Sequence, residues 1–248
     1  MITFAAKTDI GKERKMNQDF YVANGDTPSL FILCDGMGGH LSGDIASRTA
    51  AQSAETFIRM QKTLDLSEEK TKRLLKNAVN YANKMVYSRA QNTEAFSGMG
   101  TTMDICLVDF DILYVAHVGD SRVYLLRGGE LSLITKDHSL VEEMVDSGMI
   151  SKEEAENHPN RNVITRAVGT NFSVENDFTA VPLFEDDILL MCSDGLSNML
   201  SETEIKNLLI SDQNLDKVVS NLVNRANENG GRDNITAIVF KNVHKEEA

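Results

Sequence analysis

Five aspartates in this chain stand where an apolar run begins or stops: Asp19, Asp35, Asp120, Asp194 and Asp233. Their segments are "NQDFYV" (17–22), "LFILCDGMGGH" (30–40), "LYVAHVGDSR" (113–122), "ILLMCSDG" (188–195) and "GGRDNITAIVF" (230–240). Any one of them could be a turn, because Asp-Gly is a common turn pair. As a set they are costly, since carboxylates beside buried strands are unfavourable unless a cation accompanies them. Arg14, Arg122 and Arg232 are near in sequence and could supply part of that charge, and we read Arg122 as the neutraliser of Asp120. A divalent cation would supply it more completely. Carboxylates and small backbone oxygens with no His/Cys cluster suit Mg²⁺ or Mn²⁺ and not Zn²⁺. Several carboxylates around two such cations, about 3.5–4 Å apart, is an arrangement that hydrolyses phosphate esters.

The glycines fit that reading. Gly36 follows Asp35 and leaves its own carbonyl open to a cation. Gly38, Gly39 and Gly43 let the backbone pass close to a phosphate or to ordered water. The competing pattern is a dinucleotide-binding GxGxxG. "GMGGHLSG" (36–43) does not complete it, and no acidic residue follows at the expected offset on a second strand.

The elements that must position these residues are legible as blocks. Strands are expected at 2–8, 19–25 and 29–35, then two helices at 42–61 and 67–91 with apolar residues at three- and four-residue spacing. A dense strand block follows at 101–135, with turn signals at Asp109–Asp111 and Gly128–Gly129. The more polar stretch 136–162 reads as an excursion from the core. Strands return at 175–181 and 187–193, helices at 202–210 and 214–229, and a last strand at 234–240. Hairpin-connected strands with helices in consecutive pairs point to an α+β fold with largely antiparallel sheets, not a βαβ parallel sheet. No repeat or long linker divides the chain, so one domain is expected over 1–242, followed by a short frayed tail at 243–248.

Composition narrows the function classes. With 248 residues, 42% of them hydrophobic, the chain can build a full core. The net charge of −12 argues against non-specific nucleic-acid binding, which needs a basic face. No apolar run approaches the roughly 18 residues of a membrane span. Cys34, Cys106 and Cys192 sit inside apolar runs without CxxC spacing, as small core residues in a reducing compartment do. With no secretion signal at the N-terminus, a cytoplasmic location is expected. Nothing suggests a coiled coil or a symmetric interface, so a monomer is the default.

Eight motifs, in order and spanning nearly the whole chain, resemble the metal-dependent serine/threonine protein phosphatases of type 2C, most closely the compact bacterial branch. They are "RKMNQD" (14–19), "CDGMGGH" (34–40), "GMGTT" (98–102), "HVGDSR" (117–122), "ITKDHS" (134–139), "ITRAVG" (164–169), "CSDGL" (192–196) and "GGRDNIT" (230–236). The resemblance implies a four-layer α/β/β/α sandwich, two packed antiparallel sheets flanked by helix pairs, with the 136–162 excursion as a flap beside the cleft. It implies that Asp35 bridges two Mn²⁺ or Mg²⁺ ions and that Gly36 binds one of them through its carbonyl. Asp194 and Asp233 hold the other, and Asp19 acts on the first directly or through its water. Asp120 matches the residue that builds a weaker third site, and Arg14 the residue that binds the substrate phosphate.

The implied reaction is attack on phosphorus by a water whose pKa two cations have lowered, with no phosphoenzyme. Substrates would be phosphoserine and phosphothreonine proteins, and a bacterial serine/threonine kinase would be the functional counterpart. Met37 stands where other members carry a histidine general acid, so His40 is the nearest candidate for that role. His138 is expected to fix the base of the flap, and His117 to belong to a sheet. A catalytically inactive metal-binding regulatory module and a phosphatase for small phosphorylated molecules are the competing readings.

Overall fold

The structure is a computed structural model that describes residues 2–38, 42–61 and 67–243. Two antiparallel sheets form the centre of the molecule. The first contains β1 (Ile2–Asp9), β7 (Arg122–Arg127), β8 (Glu130–Leu133), β10 (Ile188–Cys192) and β11 (Ile235–Asn242), in the order β1-β11-β10-β7-β8. The second runs β2-β3-β5-β6-β9, from β2 (Asp19–Asn24), β3 (Ser29–Met37), β5 (Met103–Asp109), β6 (Ile112–Val118) and β9 (Asp177–Pro182). The two-residue β4 (Gly100–Thr101) pairs with the end of β3.

Strand periodicity builds three hydrophobic layers. In β3, Leu30, Ile32 and Cys34 face one way, while Phe31 and Leu33 face the other. The first set packs under α1 (Gly43–Arg59) and α2 (Glu68–Asn92). The second set meets Val123, Leu125, Leu189, Met191, Ile238 and Phe240 between the sheets. There the Phe31 and Phe240 rings stack at 4.4 Å. The outer face of the first sheet, with Leu190, Cys192, Ala237 and Val239, packs against α6 (Glu202–Leu209) and α7 (Leu215–Glu228). This is the four-layer sandwich expected from the motifs. The three cysteines are buried and free, one in each layer.

The helices owe their place to small residues. Ala46, Ala50, Ala51, Ala54 and Ile58 form the buried stripe of α1, so its backbone lies close on the sheet. Capping is local: a Ser201–Glu204 capping box opens α6, and the Asn214 side chain accepts two backbone N–H groups at the start of α7. Gly128 and Gly129 both have positive φ in the β7–β8 hairpin. The excursion contains two short helices, α3 (Leu140–Asp146) and α4 (Lys152–Glu156), and returns through a bridge between Ser139 and Ile164. Among the described residues no helix is long and apolar enough to cross a membrane.

Asp194 stands directly after β10, as expected, and opens a four-residue helix, α5 (Asp194–Ser197). The strand expected from 175 begins at Asp177.

Candidate active site

Antiparallel register brings all five aspartates to one end of the sandwich. Asp19 starts β2 and stands directly opposite Asp35 near the end of β3. Asp120 lies in the β6–β7 turn, Asp194 follows β10, and Asp233 precedes β11. Cys192 pairs with both Arg122 and Ala237, so these three chain turns share that end. Asp19 is buried, while Asp35, Asp120, Asp194 and Asp233 are part-exposed at the surface of the end.

Like charges directly across a strand pair destabilise it, and among the described residues no cationic side chain pairs with Asp19 or Asp35. Asp19 Oδ2 accepts from Ser193 Oγ at 2.8 Å and from Thr236 Oγ1 at 2.6 Å. Its Oδ1 is buried with no partner among the described residues. Burial, offset in part by the two hydroxyls and reinforced by Asp194 and Asp233, pushes the Asp19 carboxyl up to about 7. Burial and then Asp19, Asp194, Asp120 and Asp233 hold Asp35 well above the carboxylate range. Burial and Asp194 push Asp120 up to about 7. Burial and Asp233 push Asp194 up to about 6, against a hydrogen bond with Asp35 and the charge of Arg14. Each carboxylate disfavours ionisation of its neighbours, and a bound cation reverses exactly that penalty.

The backbone around Asp35 is held on every side. Its N–H donates to Thr102 Oγ1 at 2.8 Å, and its carbonyl accepts from the Thr101 hydroxyl at 2.8 Å and the Thr102 N–H at 2.9 Å. Gly36 donates to the Gln18 carbonyl at 3.1 Å. A Cβ on Gly36 would lie 2.1 Å from the Gly43 carbonyl oxygen, and a Cβ on Gly43 would lie 2.8 Å from the Gly36 carbonyl oxygen. Glycine at both positions therefore lets the start of α1 lie directly against the end of β3, with the Gln18 side chain beside them. Asn234 ties in the 10–18 loop: its Oδ1 accepts from the Gln18 N–H, and its Nδ2 donates to the Ile10 and Met16 carbonyls.

Arg14 reaches this end. Its Nη2 donates to Asp233 Oδ2 at 2.6 Å with half of the side chain exposed. Arg122 makes no ion pair with Asp120 among the described residues, although its charge still favours the Asp120 carboxylate. It forms a bidentate pair with Asp137, at 2.7 Å for Nη2 to Oδ2 and 3.0 Å for Nε to Oδ1, and also donates to the Tyr124 hydroxyl. As the first residue of β7 it is already within reach of the segment that leaves β8, and that segment brings its own carboxylate. His40 lies outside the described residues, as does Gly39.

Sequence reasoning missed the residues that hold the aspartates: Ser193 and Thr236 on Asp19, Thr101 and Thr102 on Asp35, and Asn234. All five lie inside or beside the quoted motifs. Their signal was small polar residues flanking each acid, which turn chemistry explains equally well.

Among the described residues no three His, Cys, Asp or Glu side chains are gathered tightly enough to hold an ion as they stand. The chemistry of the set nonetheless fits divalent cations. It offers only oxygen donors, including a buried Asp19 oxygen without a partner among the described residues.

Comparison with known proteins agrees with this geometry. A profile described as protein phosphatase 2C matches residues 11–239. The serine/threonine phosphatase stp of Listeria welshimeri is 39% identical over 237 residues, covering 95% of this chain and 94% of that protein. The protein phosphatase PhpP of Streptococcus pneumoniae is 38% identical over 244 residues, covering 97% of each. Among solved structures, the catalytic domain of the serine/threonine protein phosphatase PstP, in complex with two manganese ions, superimposes with a TM-score of 0.86. It is 33% identical and covers 98% of this chain and 99% of that one. The motifs, the sandwich, the convergence of the aspartates and these relatives lead to one conclusion: this chain belongs to the protein phosphatase 2C family.

Proposed function

We propose that the acidic end of the sandwich is the catalytic centre at which this enzyme, a metal-dependent protein phosphatase, removes phosphate from serine and threonine. The observation that carries the assignment is the cross-strand pair of Asp19 and Asp35, set among three further carboxylates and, among the described residues, with no cationic side chain paired to either of the two. Asp35 would bridge two Mn²⁺ or Mg²⁺ ions, with the Gly36 carbonyl and Asp19 on one side and Asp194 and Asp233 on the other. Asp120 would contribute to a weaker third site. When bound, the cations supply Lewis acidity that makes a water nucleophilic near neutral pH and offsets charge on the phosphoryl oxygens.

The chain's own residues do the rest. Thr101 and Thr102 hold the Asp35 backbone, Ser193 and Thr236 orient Asp19, and Asn234 locks the loop that carries Arg14 and Gln18. Only Nη2 of Arg14 is engaged among the described residues, so its other donors remain to bind the substrate phosphate as a fork. No cysteine competes as a nucleophile: burial raises all three thiols. His40 is proposed as proton donor to the leaving oxygen.

We further propose that residues 1–242 are one catalytic domain and that the protein works as a cytoplasmic monomer opposite a serine/threonine kinase. The continuous hydrophobic layers and the buried, free cysteines support the first two points.

The test is hydrolysis of a phosphothreonine peptide with Mn²⁺, with Mg²⁺ and with excess chelator, beside sugar phosphates. Turnover on the peptide that vanishes with chelator is the expected result. Preference for sugar phosphates would move the substrate class to small molecules. Cation binding by calorimetry without turnover on any substrate would make the chain a regulatory module.

A further inference from the structure

A second buried polar assembly lies beneath the Asp120 turn, and the phosphatase chemistry does not account for it. Asp104 on β5 and His117 on β6 are direct cross-strand partners, 0% and 2% exposed. His117 Nδ1 lies 2.5 Å from Asp104 Oδ1, and His117 Nε2 lies 2.9 Å from the Lys136 carbonyl oxygen. A carbonyl only accepts, so Nε2 carries a hydrogen, and one more proton is shared between Nδ1 and the carboxylate. Burial opposes charge on the imidazole, but the Asp104 charge and hydrogen bond outweigh it and raise the His117 pKa. The other Asp104 oxygen is buried without a partner among the described residues. A core does not need such a pair for stability, because apolar residues of similar shape serve as well.

The assembly continues to the site. The His138 ring lies over His117, with centroids 4.6 Å apart. The His138 backbone N–H donates to the Gly119 carbonyl at 2.7 Å, and His138 Nδ1 accepts the Gly119 N–H at 3.1 Å. Because Nδ1 accepts, the neutral ring carries its hydrogen on Nε2, which faces Asp177 Oδ2 at 3.3 Å; Arg166 Nη1, 3.2 Å from the same nitrogen, is then a close contact and donates instead to Asp177 Oδ1 at 3.1 Å. Gly119 has a φ of +117°, and a Cβ there would lie 2.5 Å from Thr102 Cγ2. Thr102 Oγ1 in turn bonds to Ser121 Oγ and accepts the Asp35 N–H. The turn carrying Asp120 is thus clamped by His138 on one side and by Thr102 on the other.

We propose that Asp104, His117 and His138 form a buried positioning unit that sets the Gly119–Asp120–Ser121 turn and so the aim of Asp120 into the cation site. The unit anchors Lys136 and His138, where the excursion leaves the core, and transmits that anchor to the turn through two hydrogen bonds to Gly119. All three are buried, so they act through the turn and not at the surface. The aim toward a cation rests on the proposed role of Asp120; the clamp on the turn does not.

The experiment is calorimetric titration of Mn²⁺ into the full-length wild type, Asp120→Asn, His138→Ala and His138→Asn, with amide hydrogen exchange at 119–121 measured in chelator. We expect a weak cation class in the wild type that Asp120→Asn removes. His138→Ala should weaken that class by about 10-fold or more, as loss of an outer-shell partner does, while leaving the tighter classes unchanged. It should also speed exchange at Gly119 without metal. His138→Asn, whose amide oxygen can accept the Gly119 N–H, should restore both. Wild-type binding and wild-type exchange in His138→Ala would overturn the proposal. If the wild type shows no class sensitive to Asp120→Asn, the cation role of Asp120 fails and exchange alone decides the clamp. If His138→Ala does not fold, the double variant Asp104→Leu/His117→Phe replaces the pair by apolar groups and should show the same loosened turn; unchanged exchange there would overturn the unit.

Discussion

Asp187 and Asp19 are both buried aspartates next to a strand of the first or second sheet, at 1% and 7% exposure, and they are treated in opposite ways. Asp187 receives the Arg127 guanidinium on both oxygens, at 2.9 and 2.6 Å, and the Phe184 N–H at 2.7 Å. Asp19 receives two hydroxyls on one oxygen, nothing on the other, and a second carboxylate across the strand pair. Where this fold buries an acid for structure, it supplies the counter-charge from its own chain. At the acidic end Arg14 reaches Asp233, but among the described residues the Asp19–Asp35 pair receives none. That difference marks the site more clearly than the number of aspartates does.

The largest test of the contrast is Asp35→Asn. Removing the charge at the centre of the set should lower turnover by about 10³-fold or more, with the circular-dichroism melt retained. Full activity in that variant would end its bridging role. The structural acid should behave in reverse. Arg127→Ala strands Asp187 without its partner and should cost about 3 kcal/mol in denaturant unfolding, with activity per folded molecule unchanged. A variant as stable as the wild type would show that Asp187 is not held by that pair. Asp19→Asn should sharpen the comparison further: in chelator it removes a repelling charge and should raise stability by about 1 kcal/mol while turnover falls. If it destabilises the chelated protein, the acidic end is not under the electrostatic strain described here.

The smallest expected effect is a pH slope from His138. Burial, with His117 and Arg166 against Asp177, lowers its pKa to about 4. A histidine ordinarily titrates near 6.5, so between these values the unfolded chain binds the proton that the folded one refuses. Stability from this group is therefore complete above about 6.5 and is lost as pH falls toward 4. His138→Asn should remove one proton's worth of that slope when denaturation midpoints are compared from pH 7 to 4. An identical slope in the variant would show that His138 is already neutral in the unfolded chain or charged in the folded one.

Arg122 shows where sequence distance misleads. Two residues from Asp120, it was the natural neutraliser, yet its guanidinium pairs with Asp137 fifteen residues on. Strand geometry explains the choice. Asp137 follows β8, which pairs back on β7, so the chain returns beside the start of β7 with its carboxylate at guanidinium distance. Likewise the carboxylate beside Arg14 is not Asp19 of its own motif but Asp233, which β11 brings in from 219 residues away.

The linear order of residues determined a good deal by itself. Short apolar runs along 29–35 and 234–240, and three- and four-residue spacing along 42–61 and 67–91, are local patterns, so strands and helices could be read directly. The aspartates, the glycines beside them and the oxygen-only donor set were visible for the same reason, as residue types at recognisable chain turns. Only the tertiary structure decided which charges meet. The direct opposition of Asp19 and Asp35 depends on the β2–β3 register, the partner of each arginine on strand order, and the Asp104–His117–His138 assembly on three segments packed from different parts of the chain. Hydrogen bonds and ion pairs act over a few ångströms through space, and sequence separation carries little information about that distance once a sheet has folded.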